Sequence, residues 1–307
     1  MPMRFCPGPA PRPRVWAWQC RHAQGFRTGE RPFLPTGGGN RPADLGDALQ
    51  AFQDNVEASR TLIAVGTSKK VWGSAPVPTR EGDRFFLDYI RGTGGGQPIF
   101  HIDMFITLVG RDGNGRFRVM VGSPRRAAEI ANRPFHPGLA MQAAFDDIAD
   151  LLEARGFEVI RNPLPQVHTA GAAHPLSMIR EHARSFPRGD ERTAWTAIVD
   201  ELTALGAGDD TLVESRRWYF ATANNCLVQT AADGGNVVLL PTYGHAPFDW
   251  LRAVDAEMRR LWTDLGYEVR ELANFHPFAE SLGAVHCIKK YLERSEGGVA
   301  ARLQASG

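Results

Sequence analysis

Apolar and polar positions along the chain follow two periodicities. Strand-like apolar stretches at residues 61–66, 102–109 and 117–121 are followed by an amphipathic stretch at residues 139–155. Apolar side chains that recur every three to four positions indicate a helix with one buried face, whereas short apolar runs bounded by turn residues indicate strands. The pattern predicts an α/β chain.

The predicted elements occur twice in the same order. Each copy reads as strand, tight turn of Gly, Asn and Asp, strand, helix, glycine cap and strand. The copies are residues 106–159 and residues 226–269. Such turns need residues that tolerate positive φ, and glycine commonly ends a helix. Chance similarity between two helix-and-hairpin segments is the competing interpretation. If the two copies are a true repeat, the repeating unit is ββαβ. Units arranged around a central axis would bring residues that are far apart in sequence to one site.

Composition narrows the function classes. The 307 residues are 43% hydrophobic and 22% charged, which is enough to bury a sizeable core. A net charge of +1 gives no overall field for nucleic acid, and no apolar run reaches the length of a membrane helix. The N-terminus is rich in Pro and Arg where a secretory signal would be apolar. We therefore expect a cytoplasmic protein that binds neither nucleic acid nor membrane, and the oligomeric state stays open.

Residues 1–33 differ from the rest of the chain. They hold five prolines before residue 14, six arginines and one acid, Glu30. This composition predicts a partly disordered N-terminal extension, with the folded domain at residues 34–300.

Cysteine spacing excludes two structural roles. The four cysteines are scattered and form no CxxC pair, so we expect neither a disulfide framework nor structural zinc. They are Cys6, Cys20, Cys226 and Cys287. One of them is a candidate nucleophile.

Two short motifs carry candidate chemistry. His101 and Asp103 follow a Gly-rich loop at residues 94–96, at the start of the predicted strand 102–109, where residues i and i+2 share a face. Near the C-terminal end, Gly283 and small residues precede Cys287 in a short apolar stretch, as expected where backbone approaches a ligand closely. In an extended segment His286 would point away from Cys287, so we expect it either to have a structural role or to support the site residues without contacting the substrate.

Together these motifs resemble the guanidino-group-modifying superfamily of deiminases and amidinotransferases. The Gly-Ala-Val-His-Cys stretch at residues 283–287 is most similar to the catalytic domain of protein-arginine deiminases, and residues 55–59 and 62–66 resemble a further stretch of that family. The resemblance covers roughly residues 50–295. It implies an α/β fold of five ββαβ blades, the five-bladed propeller called a pentein, which agrees with the repeat.

The resemblance implies hydrolytic deimination, in which arginine, most readily peptidyl arginine, becomes citrulline with release of ammonia. A guanidinium is a planar cation, so a carboxylate must hold it by charge-assisted hydrogen bonds while a strong nucleophile attacks its carbon. Cys287 would be the nucleophile, His101 the acid and base, and Asp103 the guanidinium anchor. No organic cofactor is needed.

Two further positions follow from the resemblance, and a pair of asparagines follows from the repeat. Residues 18–26 resemble the family segment that carries a second guanidinium-binding aspartate, but Cys20 stands in its place. Glu57 matches a calcium ligand of the eukaryotic enzymes, although the acid-rich ligand set before it is missing, so calcium stays open as a cofactor. Asn224 and Asn225 precede a strand of the repeat, where they could line the site or form a turn.

Competing functions remain open at this point. Amidino transfer to an amine would use the same residues, and a binding protein without turnover would explain Cys20 in the acid position. The substrate could be an arginine-containing peptide, free arginine or agmatine, because entry depends on loops whose shape the sequence does not give.

Overall fold

A computed structural model describes residues 15–19, 54, 61–69, 71–72, 75–90, 98–99, 101–230 and 235–288. Within these residues the chain is mixed α/β, with twelve strands in four sheets and seven α-helices. The strands are β1 Val15–Gln19, β2 Thr61–Val65, β3 Val77–Glu81, β4 Arg84–Ile90, β5 Ile106–Arg111, β6 Phe117–Ser123, β7 Glu158–Pro163, β8 Gln166–Pro175, β9 Leu212–Phe220, β10 Leu227–Thr230, β11 Asn236–Pro241 and β12 Glu268–Leu272. The helices are α1 Pro124–Ile130, α2 Gln142–Ala154, α3 Leu176–Ser185, α4 Asp190–Ala204, α5 Arg252–Asp264, α6 His276–Glu280 and α7 Val285–Ile288.

The first ββαβ unit runs from β5 to β7. Strand β5 pairs antiparallel with β6, and β6 pairs parallel with β7 after helices α1 and α2. The carboxylate of Asp112 closes the β5–β6 turn by accepting the backbone N–H groups of Asn114 and Arg116 at 2.9 and 2.7 Å. Gly156 follows α2 at φ 84°, a left-handed conformation that suits glycine. Local turn and cap chemistry therefore sets the limits of this unit.

The second unit, from β10 to β12, has the same order and pairing. Strand β10 pairs antiparallel with β11, and β11 pairs parallel with β12 after helix α5. Gly266 ends the α5 turn at φ 84°, as Gly156 does in the first unit. The sequence repeat predicts this correspondence, although its second Gly/Asn turn includes residues 231–234, which lie outside the described residues.

A four-stranded sheet in the order β3-β4-β9-β8 combines two strands that precede the first unit in the chain with two that lie between the units. Helices α3 and α4 cover it, and their apolar faces bury Leu176 and Leu202 completely. A buried ion pair joins its central strands: Arg216 donates from Nε to Asp88 Oδ1 at 2.6 Å and from Nη2 to Asp88 Oδ2 at 2.9 Å. Both side chains are less than a tenth exposed, so each charge is stabilised by the other.

Strands β1 and β2 form a two-stranded parallel sheet. Strand β1 lies inside the segment 1–33 that the sequence predicts as an extension, so five of those residues are paired in a sheet. It also contacts a 3-10 turn at Ile102–Met104. The predicted division of the chain at residue 33 otherwise stays a prediction.

Helices of the repeat connect neighbouring sheets. Helix α2 contacts β6 and β7 of its own unit and also β2, while α5 contacts β12 of its own unit and β7 of the first. Buried Phe105, Phe145 and Phe220 meet edge-to-face in the core between these sheets. Packing of each helix against the next sheet places the loops before β5 and before β10 near one another. Among the described residues, no helix is long and apolar enough to cross a membrane.

One predicted strand begins later than expected. The apolar positions at residues 102–109 predict a strand, but residues Ile102–Met104 form the 3-10 turn and β5 begins at Ile106. The amide of Met104 bonds the carbonyl of His101 at 3.1 Å, which closes the turn locally. Met104 and the adjacent Phe105 are both buried, whereas successive residues of a strand face opposite sides.

Candidate active site

Three segments that are far apart in sequence meet at one place. They are the Ile102–Met104 turn before β5, the loop between β9 and β10, and helix α7 near the C-terminal end of the described residues. Each segment contributes one polar group to a hydrogen-bonded cluster, and helix α7 also carries Cys287.

The carboxylate of Asp103 is the centre of this cluster. Its Oδ2 atom accepts a hydrogen bond from Asn225 Nδ2 at 2.8 Å and another from His286 Nδ1 at 2.7 Å. The Asp103 side chain is 16% exposed and that of His286 is 27% exposed. A partly exposed carboxylate with both of its donors on one oxygen is suited to holding a cationic ligand, because the lone pairs of its other oxygen stay open.

Asn225 joins the carboxylate to the cysteine-bearing helix. Its side chain is fully buried, and its Oδ1 accepts the backbone N–H groups of His286 at 3.0 Å and Cys287 at 3.3 Å. The same carboxamide donates from Nδ2 to Asp103. One side chain therefore fixes the distance between the acidic group and the backbone of the candidate nucleophile. This is a positioning role, because both polar ends of the carboxamide are already bound.

Buried polar groups support the loop that carries Asn225. Thr222 donates to the carbonyl of Met104 at 2.5 Å, and Thr107 donates to the carbonyl of Asn224 at 2.7 Å. The carboxamides of Asn224 and Asn162 bond each other reciprocally at 2.9 and 3.2 Å. Because buried polar groups are costly when unpaired, these bonds hold the loop in one arrangement against β5 and β7.

The turn after α6 delivers Cys287 to the cluster. Leu282 has φ 67°, a left-handed value that is unfavourable for a side chain of this size, and Gly283 follows it. A Cβ atom at Gly283 would lie 3.3 Å from the Cβ of Cys287, closer than ordinary contact. Glycine therefore allows Cys287 to approach this closely, and a larger residue would push the cysteine away. The cysteine is exposed, so its thiol is accessible to reagents.

A buried histidine begins helix α6, just before this turn. His276 is buried, its Nε2 donates to the carbonyl of Tyr243 at 2.7 Å, and its Nδ1 accepts from the Tyr219 hydroxyl at 2.8 Å. Burial lowers the pKa of His276 and raises the pKa of both tyrosines. Both tyrosines belong to the same apolar cluster as Ala284 and Val285.

The structure joins some of the predicted site residues and separates others. Asp103, Asn225 and the backbone of Cys287 belong to one cluster. His101 is exposed, and its carbonyl closes the 3-10 turn that carries Asp103. The strand face that would align His101 with Asp103 is absent, because residues 102–104 form a turn.

The remaining predicted positions fall elsewhere. Cys20 and Glu57 lie outside the described residues. Cys226 is buried in an apolar cluster with Val238 and Leu240, as its apolar surroundings in the sequence predict. In the part of the chain that the structure describes, no three His, Cys, Asp or Glu side chains are arranged to hold a metal ion.

His286 is the site residue that the sequence argument misses. An extended segment would turn it away from Cys287, but residues Val285–Ile288 form a helical turn in which neighbours are about 100° apart. Its Nδ1 atom reaches Asp103 from that turn. Gly283, a residue that commonly follows the end of a helix, was the available sequence signal that a new element begins after α6.

Comparison with known proteins adds no relative. No protein-family model matches the chain, and no curated protein matches it.

Proposed function

We propose that this protein hydrolyses a guanidino group, converting peptidyl arginine to citrulline with release of ammonia. The observation that carries the proposal is the Asn225 bridge, which ties the carboxylate of Asp103 to the backbone of Cys287. A carboxylate anchor and an accessible thiol close together are the two groups that attack on a guanidinium requires. The resemblance of residues 283–287 to protein-arginine deiminases points to the same chemistry.

Asp103 would hold the substrate cation and Cys287 would attack it. The thiolate sulfur adds to the central guanidinium carbon, and the tetrahedral adduct expels ammonia once that nitrogen is protonated. Water then adds to the S-linked carbon, loses a proton and displaces the thiolate, which leaves the ureido product. His101 is the proposed acid and base for these two proton transfers, because it stands on the same turn as Asp103 and is exposed.

The proposed fold is the five-bladed α/β propeller. Two ββαβ units with identical strand pairing support it, as does the packing of each unit's helix against a strand of another sheet. In such an arrangement the loops before successive blades converge on the central axis, which accounts for a cluster built from residues 103, 225 and 287.

The proposal extends to Cys20 as a substrate-lining residue. It directly follows β1 in the sequence, and β1 contacts the turn that carries Asp103. Calcium binding through Glu57 also remains a proposal, supported only by the resemblance.

Product analysis tests the proposed reaction. The purified protein is incubated with an arginine-containing peptide, free arginine and agmatine, with and without calcium, and ammonia and ureido products are measured. We expect ureido product with one of them, no turnover in Cys287→Ala, and retained turnover in the matched Cys226→Ala variant. An amidino-amine formed only with an added amine would assign transfer instead, and turnover in Cys287→Ala would refute the mechanism.

A further inference from the structure

The hydrogen bonds of Asp103 leave one carboxylate oxygen fully occupied. A carboxylate oxygen has two lone pairs, and Oδ2 already accepts from Asn225 and from His286. Within the described part of the chain, Oδ1 accepts no hydrogen bond. The carboxylate therefore has free capacity on one oxygen only.

The protein's own buried ion pair shows what a guanidinium takes from a carboxylate. Arg216 donates to both oxygens of Asp88, and each oxygen accepts one further donor, Trp218 Nε1 on Oδ1 and Thr79 Oγ1 on Oδ2. A two-oxygen grip is thus compatible with one additional donor on each oxygen. Two additional donors on the same oxygen, as on Asp103 Oδ2, exceed that capacity.

Of the two donors on Oδ2, only His286 is free to leave. Asn225 is fully buried, and its other end holds the amides of residues 286 and 287. The His286 side chain is partly exposed, so its imidazole can be rehydrated when it turns away. Its Nδ1–H donates to the carboxylate in either the neutral or the cationic form of the ring, so the contact that the substrate must displace exists in both forms.

We propose that His286 is a displaceable occupant of the guanidinium site. It holds the second lone pair of Asp103 Oδ2 in the ligand-free protein, and the guanidinium of the substrate replaces it to complete a two-oxygen grip. This inference rests on the proposed function. Because His286 immediately precedes Cys287 on helix α7, substrate binding also releases a contact of the nucleophile's own helical turn.

Ligand binding without turnover tests this inference. N-acetyl-arginine amide is titrated by calorimetry into Cys287→Ala protein, with N-acetyl-lysine amide as the ligand control. In that background His286→Ala should lower the dissociation constant of N-acetyl-arginine amide about tenfold. The guanidinium then binds Asp103 without first displacing an imidazole. His286→Asn keeps an N–H donor near the position of Nδ1 and should bind within about threefold of the parent. His174→Ala replaces an exposed histidine of β8 and should leave the dissociation constant of N-acetyl-arginine amide unchanged.

A second readout does not depend on substituting His286. In Cys287→Ala protein with ¹⁵N-labelled histidine, saturating N-acetyl-arginine amide should shift the Nδ1 resonance of His286, and N-acetyl-lysine amide should not. Arginine binding that is unchanged or weaker in His286→Ala, or an Nδ1 resonance that stays constant at saturation, overturns the displacement while leaving the proposed function standing. Absence of arginine binding in every variant overturns both.

Discussion

Asn225 offers the most direct test of how the site is held together. Replacing it with alanine removes a charge-assisted bond to Asp103 and two amide bonds from helix α7, at 2.8, 3.0 and 3.3 Å. A hydrogen bond to a charged group contributes about 1.5–3 kcal/mol and a neutral one about 0.5–1.5 kcal/mol. The amides of residues 286 and 287 each keep a backbone acceptor, so the local loss at α7 should be about 1–2 kcal/mol.

Hydrogen exchange measures that loss without reference to any activity. A loss of about 1–2 kcal/mol corresponds to amide exchange about 5- to 30-fold faster at residues 286 and 287. Asn224→Ala is the matched control, because Asn224 is equally buried and neighbours Asn225 but bonds Asn162 and Thr107. Asn224→Ala should lower the free energy of unfolding by about as much as Asn225→Ala does. After correction for exchange through global unfolding, the amides of α7 should still exchange near the wild-type rate.

The result that would refute this reasoning is specific. If exchange at residues 286 and 287 is as slow in Asn225→Ala as in the wild type, the carboxamide does not anchor α7. If Asn224→Ala speeds exchange there as much, the effect is general loosening of the loop.

Three other predictions concern the turn and its surroundings. The free energy of unfolding should fall as pH drops below 6.5, because burial lowers the pKa of His276 in the folded protein below its unfolded value of 6.5. Urea titrations should show a flatter dependence of this free energy on pH in His276→Gln, and an unaltered pH dependence would argue against a role for His276. Gly283→Ala should lower the free energy of unfolding by about 1 kcal/mol and reduce turnover, because the added Cβ would press on Cys287. Gly113→Ala, where a Cβ would meet open space, should change neither the free energy of unfolding nor turnover. Cys20→Asp should raise kcat/KM for the guanidino substrate at least tenfold by supplying a second carboxylate, and unchanged kinetics would remove Cys20 from the site.

Local chemistry explains which parts of the fold the sequence predicts. The two ββαβ units are readable because their turns and helix ends depend on adjacent residues, such as Asp112 in the first turn and the glycines 156 and 266 at the caps. The turn at Ile102–Met104 is not readable in this way. Its alternating apolar residues are compatible with a strand, and no local pattern indicates the bond from the Met104 amide to the His101 carbonyl that closes the turn.

The site depends on tertiary contacts that no local pattern contains. Asp103 and Cys287 are recognisable as candidate residues, but the bridge between them requires the β9–β10 loop to lie against both segments. Paired asparagines are equally compatible with a surface turn, so the role of Asn225 follows from its burial. The contact from His286 likewise follows from the helical turn at Val285–Ile288, which a short apolar sequence does not distinguish from a strand.

The central claim is that Cys287 attacks a cationic planar group held by Asp103. The most direct measurement compares the rates at which 2-chloroacetamidine and its neutral analogue 2-chloroacetamide alkylate Cys287, followed by peptide mass spectrometry. The quantity compared is the ratio of the amidine rate to the amide rate. A charge-assisted bond to Asp103 should make this ratio at least tenfold larger at Cys287 than for a free thiol in solution. Asp103→Asn should lower the ratio to the free-thiol value. Equal relative rates in the wild-type protein, or a preference that survives Asp103→Asn, would contradict the account.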